Sequence, residues 1–170
     1  MSAPIHETTV EWGRRPPAAA DEAFLFRLFC STREDELALW DAPTEVKAAF
    51  LRMQFDAQRA HYGRHFAAAD HDIVTVSGEP VGRILVDRTR DEIRVVDLAI
   101  LTERRNAGIG SRLMRALLDE SLATGKPVRV HAFKPSRAVG FYERMGFLRT
   151  GDEGPHWALE WKPAATRGTA

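Results

Sequence analysis

Residues 103–120 read ERRNAGIGSRLMRALLDE: two arginines and two glycines run directly into a helical pattern. Ile109, Leu113, Met114 and Leu117 fall at the spacing of one helix face, so the pattern predicts a helix from Gly108 to about Ala123. The residues just before it, DEIRVVDLAIL (91–101), are rich in β-branched and apolar side chains and predict a strand. A strand that passes through a glycine turn into a helix leaves unpaired N–H groups at the helix start. Those donors and the helix dipole together form an anion site. Gly108 and Gly110 lack β-carbons, so phosphate oxygens can approach the main chain closely, and Arg104 and Arg105 add positive charge at the mouth. The same residues also suit a tight turn with solvated arginines, and spacing alone leaves both readings open.

The rest of the chain supplies the frame. HDIVTVS (71–77) turns through GEP into VGRILVDRT (81–89), which with 91–101 predicts a meander of antiparallel strands. After the glycine helix, GKP leads to the strand VRVHAF (128–133), and SRAVGFYERMG predicts a short helix stopped at Gly146, a residue suited to the left-handed C-terminal position. GFLRTG and HWALEW close the chain as a strand pair. Toward the N-terminus, ETTVEW (7–12) reads as a strand ended by GRRPP. A helix follows from about Ala20, with Phe24, Leu25, Leu28 and Phe29 on one stripe. A longer helix after Pro43 has Val46, Phe50, Met53 and Ala57 spaced for a buried face. The predicted order is β-α-α-β-β-β-α-β-α-β-β. The helix joining DLAIL to VRVHAF makes those two strands parallel neighbours in an otherwise antiparallel sheet.

The 170 residues suit one domain, over 1–162, with PAATRGTA (163–170) as a disordered tail. Lys and Arg number 24 against 24 Asp and Glu, so the cationic turn stands on a neutral chain and suggests a specific anion rather than a nucleic-acid surface. No apolar run approaches the roughly 20 residues of a membrane span. MSAPIHETTV lacks the apolar core of a secretory signal, and Cys30 is the single cysteine. Together these predict a cytoplasmic protein without an internal disulfide.

Three phosphate-binding patterns compete for the opening stretch. A dinucleotide fingerprint needs a glycine where Leu113 stands. A triphosphate loop needs Gly-Lys-Ser/Thr ahead of a helix, whereas TGKP follows one. Arg-x-x-Gly-x-Gly is met by RNAGIG, Arg105 to Gly110. With this motif and the element order, the chain resembles the GCN5-related N-acetyltransferases (GNAT), in the manner of their small bacterial members. KPSRAVGFYERMGF, Lys134 to Phe147, is similar to that family's C-terminal motif, and GDEGPHWALEWKP to its closing strand. The resemblance spans about residues 7–162.

The resemblance implies an α/β (α+β) fold: a mixed, mostly antiparallel sheet of about seven strands, helices on both faces, and a parallel pair that splays to admit acetyl-CoA. It implies that backbone groups of Leu98, Ala99 and Ile100 pair with the pantetheine arm. The N–H groups of Arg105, Asn106, Ala107, Gly108, Ile109, Gly110 and Ser111 would cradle the pyrophosphate. Ser136 stands where many members carry an asparagine that contacts the cofactor; serine keeps the helix cap and offers a hydroxyl.

The reaction implied is direct attack of a primary amine on the thioester carbonyl in a ternary complex. It needs a neutral amine, oxyanion stabilisation and a proton for the leaving thiolate. Of two tyrosines, Tyr62 and Tyr142, only Tyr142 matches the family's general acid; the other reading makes it a packing residue. Asp97, charged within VVDLAIL, is the candidate general base, or the partner of Arg83 or Arg94. His61 and His65 have metal-ligand spacing without a third ligand, which favours a helix end, and no metal is predicted. His131 and His156 read as structural or substrate-lining. Glu34, Asp35 and Glu36 in REDELALWD either attract a cationic amine or solvate a helix end. The predicted partners are a small-molecule or peptide amine, with a second copy of the chain as a further candidate, and neither nucleic acid nor membrane. The competing class is a non-catalytic acyl-CoA-binding regulatory module, which would have no need of the Tyr142 hydroxyl.

Overall fold

A computed structural model describes residues 11–164. The elements are β1 (Trp12–Arg15), α1 (Glu22–Ser31), α2 (Glu34–Ala38), α3 (Thr44–His65), β2 (Asp70–Val76), β3 (Glu79–Arg88), β4 (Ile93–Ile100), α4 (Ile109–Thr124), β5 (Val128–Phe133), α5 (Arg137–Arg144), β6 (Leu148–Glu153) and β7 (His156–Trp161). The strands form a seven-stranded sheet in the order β1-β2-β3-β4-β5-β7-β6. Every neighbouring pair is antiparallel except β4 and β5. This is the mixed α/β sheet, with its one parallel pair, that the element order predicts.

Local pattern explains the central unit. Ile109, Leu113, Met114 and Leu117 are all buried, and α4 packs them against β4 and β5. Along β5, Val128, Val130 and Ala132 point into that core while Arg129, His131 and Phe133 point away, the alternation of a strand covered on one face. Tyr142 and Phe147 complete the same core from the segment around α5. A second cluster on the α1 and α3 side gathers Phe29, Leu51 and Phe55.

Three expectations need correction. The order gains a helix, because Glu34–Ala38 folds as α2, with Leu37 packed against the second cluster. The stripe expected to face inward on α3 is outside: Val46 is 48% exposed, Phe50 37% and Met53 60%, and Ala57 is exposed too. Leu51 and Phe55 are buried instead, with Phe55 set edge-on to Phe26 at 5.3 Å and Phe29 at 5.5 Å. The helix carries two apolar stripes, and the aromatic rings offered by α1 select between them. The N-terminal strand runs into GRR rather than ending there; residues 7–10 of the expected strand and 165–170 of the expected tail lie outside the described residues.

One feature of the sheet positions the site. β4 and β5 pair only at Ile93–Val128, Arg94–Arg129 and Val95–Val130. Immediately beyond, the β3–β4 register shifts so that Val86 faces Val95 and Leu85 faces Asp97, leaving Val96 as an extra residue. A bulge bends its strand, and here it falls where β4 parts from β5.

Candidate active site

The turn between β4 and α4 is built from its own backbone. The Leu101 N–H donates to the Val81 carbonyl at 2.9 Å, and Arg104 N–H donates to the Leu101 carbonyl at 2.8 Å. Arg105 Nε donates to the Ile100 carbonyl at 3.1 Å, so this arginine braces the turn against β4 while Arg104 stays exposed. Asn106 and Gly108 take φ of +61° and +78°, and Gly108 caps the helix. A β-carbon on Gly108 would meet no atom within 4 Å, so the turn presents open space at the start of α4. The first N–H groups of a helix have no acceptor within it, and here they open onto that space. Ile109 buries its side chain in the core, anchoring the turn from below. Gly110 has a second role that its spacing did not reveal: a β-carbon there would stand 3.4 Å from Phe141 Cζ, so α4 packs closely on α5.

Where β4 and β5 separate, a cleft of about 130 Å³ opens, lined among others by Asp97, Leu98, His131, Ala138 and Tyr142. Leu98, Ala99 and Ile100 keep their β3 partners Ile84, Arg83 and Gly82, and are unpaired toward β5. Ser136 caps α5, its Oγ accepting from the Ala138 N–H at 3.0 Å. A larger groove of about 410 Å³ lies over β1, β2 and β3, but its charges are matched internally, Arg88 with Asp70 at 2.6 Å and Arg14 with Asp72 at 3.9 Å.

Of the two tyrosines, Tyr142 is the one that lines the cleft. It is 5% exposed, with its ring against Phe141 and Phe147. Burial, reinforced by the Asp97 carboxylate, pushes its phenol well above the usual range and keeps it protonated. Asp97 has found a partner: Arg83 Nε donates to Asp97 Oδ2 at 2.7 Å, and Arg83 Nη2 donates to the same oxygen. Arg94 pairs instead with Glu92 on its own strand segment, at 2.6 Å. The Arg83 side chain is 6% exposed and the Asp97 side chain 19%. Gln58 Oε1 accepts from Arg83 Nη2 at 2.7 Å, and the guanidinium stacks over Tyr62 at 5.4 Å. Beside them, His71 Nε2 is buried with no hydrogen-bond partner among the described residues, and burial pushes its imidazole down, toward the neutral form.

The pair of Arg83 with Asp97 is one of the two that the sequence left open, whereas the places of Gln58, Tyr62 and His71 around it were not foreseen. Arg83 interrupts VGRILV as Asp97 interrupts VVDLAIL, and two opposite charges in successive apolar strands suggest a pair. The remaining candidates are dispersed. His61 and His65 lie exposed on the last turn of α3 with rings 4.5 Å apart, and no group of three or more potential metal ligands occurs among the described residues. Burial pushes the Cys30 thiol up, which makes it a poor nucleophile.

Residues 61–149, more than half of the chain, match the acetyltransferase (GNAT) domain family. The chain therefore belongs to the GNAT family of acetyltransferases. Among solved structures it is similar to the PaiA N-acetyltransferase from Thermoplasma acidophilum in complex with coenzyme A (TM-score 0.69, 14% identity, 89% of this chain and 99% of that one). It is also similar to a histone acetyltransferase HPA2-related acetyltransferase from Corynebacterium glutamicum (0.62, 21%, 93% and 99%). A third likeness is to Ard1 from Thermoplasma volcanium (0.60, 20%, 89% and 97%). At these identities the likeness is one of fold. No described helix is long and apolar enough to cross a membrane.

Proposed function

We propose that this protein transfers the acetyl group of acetyl-CoA to a primary amine by direct attack in a ternary complex. The observation that carries the reading is the combination of three features. The freed β4 edge and the buried Tyr142 line one cleft, and the strand that forms this edge runs on through the turn into the open helix N-terminus at Gly108.

The residues present fit coenzyme A. N–H groups from Arg105 to Ser111 and the dipole of α4 suit its pyrophosphate. The β4 edge at Leu98, Ala99 and Ile100 suits the amides of the pantetheine arm, as an added partial strand. Ser136 keeps a hydroxyl proton for a further contact, since its oxygen is already engaged in capping. When bound, the co-substrate supplies an activated acyl group, and this chain supplies orientation and proton transfers. Asp97 lines the cleft as a negative charge suited to drawing in an ammonium, with Oδ2 fixed by Arg83. Tyr142 is the proton donor to the departing thiolate. Its raised phenol is a weaker acid than a thiol, so it gives up its proton only as negative charge accumulates on sulfur.

A non-catalytic acyl-CoA-binding module would share the loop and the edge, but would gain nothing from a tyrosine hydroxyl at the cleft. A cytoplasmic location accords with the enzyme reading, the single cysteine Cys30 being a free thiol. Calorimetric binding of CoA, followed by thiol release from acetyl-CoA across a panel of small amines and peptide N-termini, tests the proposal. Tight CoA binding without thiol release for any amine would favour the module.

A further inference from the structure

With Asp97 Oδ2 committed to Arg83, the cleft holds one other group suited to take a proton. His131 lies on β5 just past the last parallel pair, on the face opposite the core, and lines the cleft with Asp97 and Tyr142. Its Nε2 stands 3.3 Å from Glu153 Oε2. Those two residues are two strands apart, with β7 between them. Ala158 sits opposite His131, and Gly151 opposite Ala158, so small residues clear the path between imidazole and carboxylate. The His131 side chain is 40% exposed, against 19% for Asp97 and 6% for the Arg83 that holds it.

We propose that His131, oriented by Glu153 as a positioning residue, is the general base that deprotonates the acceptor amine. The inference rests on the acetyl-transfer reading above and completes it. In the neutral imidazole the Glu153 carboxylate favours a proton on Nε2, which leaves the lone pair on Nδ1. One proton of the acceptor ammonium passes to Nδ1, and the freed nitrogen pair forms the C–N bond as the carbonyl π pair moves to oxygen. That pair returns as the C–S bond breaks, and sulfur leaves with the bonding electrons and takes the Tyr142 proton. The second nitrogen proton restores the phenol, and His131 sheds its own to solvent, which its exposure permits. The net products are an amide, a thiol and one released proton. Exposure is the physical distinction from Asp97: a base that must reload every cycle needs water, and His131 is the more exposed of the two, while Asp97 Oδ2 is occupied by Arg83.

The charged and titratable groups facing His131 are Glu153 on β6, His156 on β7, Arg129 on its own strand, and Asp97 and Tyr142 across the cleft. Arg129 is engaged by Glu92 at 2.5 Å and Glu160 at 2.7 Å, and the carboxylate in contact with the ring is that of Glu153, at 3.3 Å.

The test is His131→Gln, with Glu153→Gln beside it, assayed with any amine on which the wild type releases thiol. His131→Gln should lower kcat by roughly 10- to 1,000-fold, leave CoA affinity and melting temperature unchanged, and abolish the acidic limb of the pH–rate profile. Added imidazole should restore part of the rate. Glu153→Gln should lower kcat less than His131→Gln, because the ring is retained and only the contact that orients it is weakened. Wild-type kcat with an unchanged acidic limb in His131→Gln overturns the inference and leaves acetyl transfer standing. Absence of thiol release from the wild type with every amine removes the acetyl-transfer reading, and the base with it.

Discussion

Substituting Gly108 by alanine separates the cost of the turn's backbone from its role at the cofactor. At φ +78° the added methyl meets no atom within 4 Å, so the folded protein pays only for a left-handed alanine, about 1 kcal/mol. For a chain of 170 residues that corresponds to a melting-temperature drop of about 2–4 °C. Gly125 provides a matched control. It has φ +73°, a methyl added there would likewise meet no atom within 4 Å, and it ends the same helix about 24 Å away. Gly125→Ala should therefore lose the same stability. If the pyrophosphate sits at this turn as proposed, only Gly108→Ala places a methyl in its way, and the CoA dissociation constant of that variant should rise at least tenfold, about 1.4 kcal/mol. Differential scanning fluorimetry and titration calorimetry on the two variants make the comparison. Equal CoA affinity in both, or equal loss in both, would refute placement of the pyrophosphate at this turn.

Tyr142→Phe should reduce kcat by roughly 10- to 1,000-fold with CoA affinity unchanged. Because burial holds the phenol above its usual range, steady-state rates in the wild type should show no alkaline limb from Tyr142 below about pH 10; such a limb that vanishes in the variant would contradict the assignment. Asp21 is held at about 2 by two hydrogen bonds from Arg15, each 2.7 Å, and one from the Ala18 N–H. A depressed carboxyl stabilises the fold above its unfolded value and loses that contribution as pH falls through its folded value. Asp21→Asn should thus lower the melting temperature at pH 7, with the gap to wild type closing between about pH 4 and pH 2; a gap independent of pH would show that the ion pair is idle. Phe55→Ala should cost about 3–5 kcal/mol in urea unfolding, whereas Met53→Ala should change stability by less than about 0.5 kcal/mol; the reverse ranking would show that the other stripe of α3 is the buried one.

Much of the fold was legible because its signals are local. The period of Ile109, Leu113, Met114 and Leu117, the alternation in VRVHAF and the glycines around α4 depend on residues a few positions apart. The same holds for the turn between β4 and α4, since strand, glycine cap and helix N-terminus are consecutive in the chain. The element order implied the parallel pair, and the family resemblance its splay. Local pattern failed on α3, where Val46, Phe50, Met53 and Ala57 are as well spaced for burial as the residues that are buried.

By itself, then, the sequence determined most of the elements and their order, α2 excepted, and the glycine turn that opens α4. Tertiary structure alone decided who partners whom. Arg83 reaches Asp97 because a bulge after Val95 turns Asp97 to that face; a register shift of one residue would have sent it to the other. His131 reaches Glu153 because β7 enters the sheet between β5 and β6 and presents Ala158 at the crossing. Side-chain pairing across strands follows sheet order and register, which arise from the packing of the whole sheet rather than from any one segment.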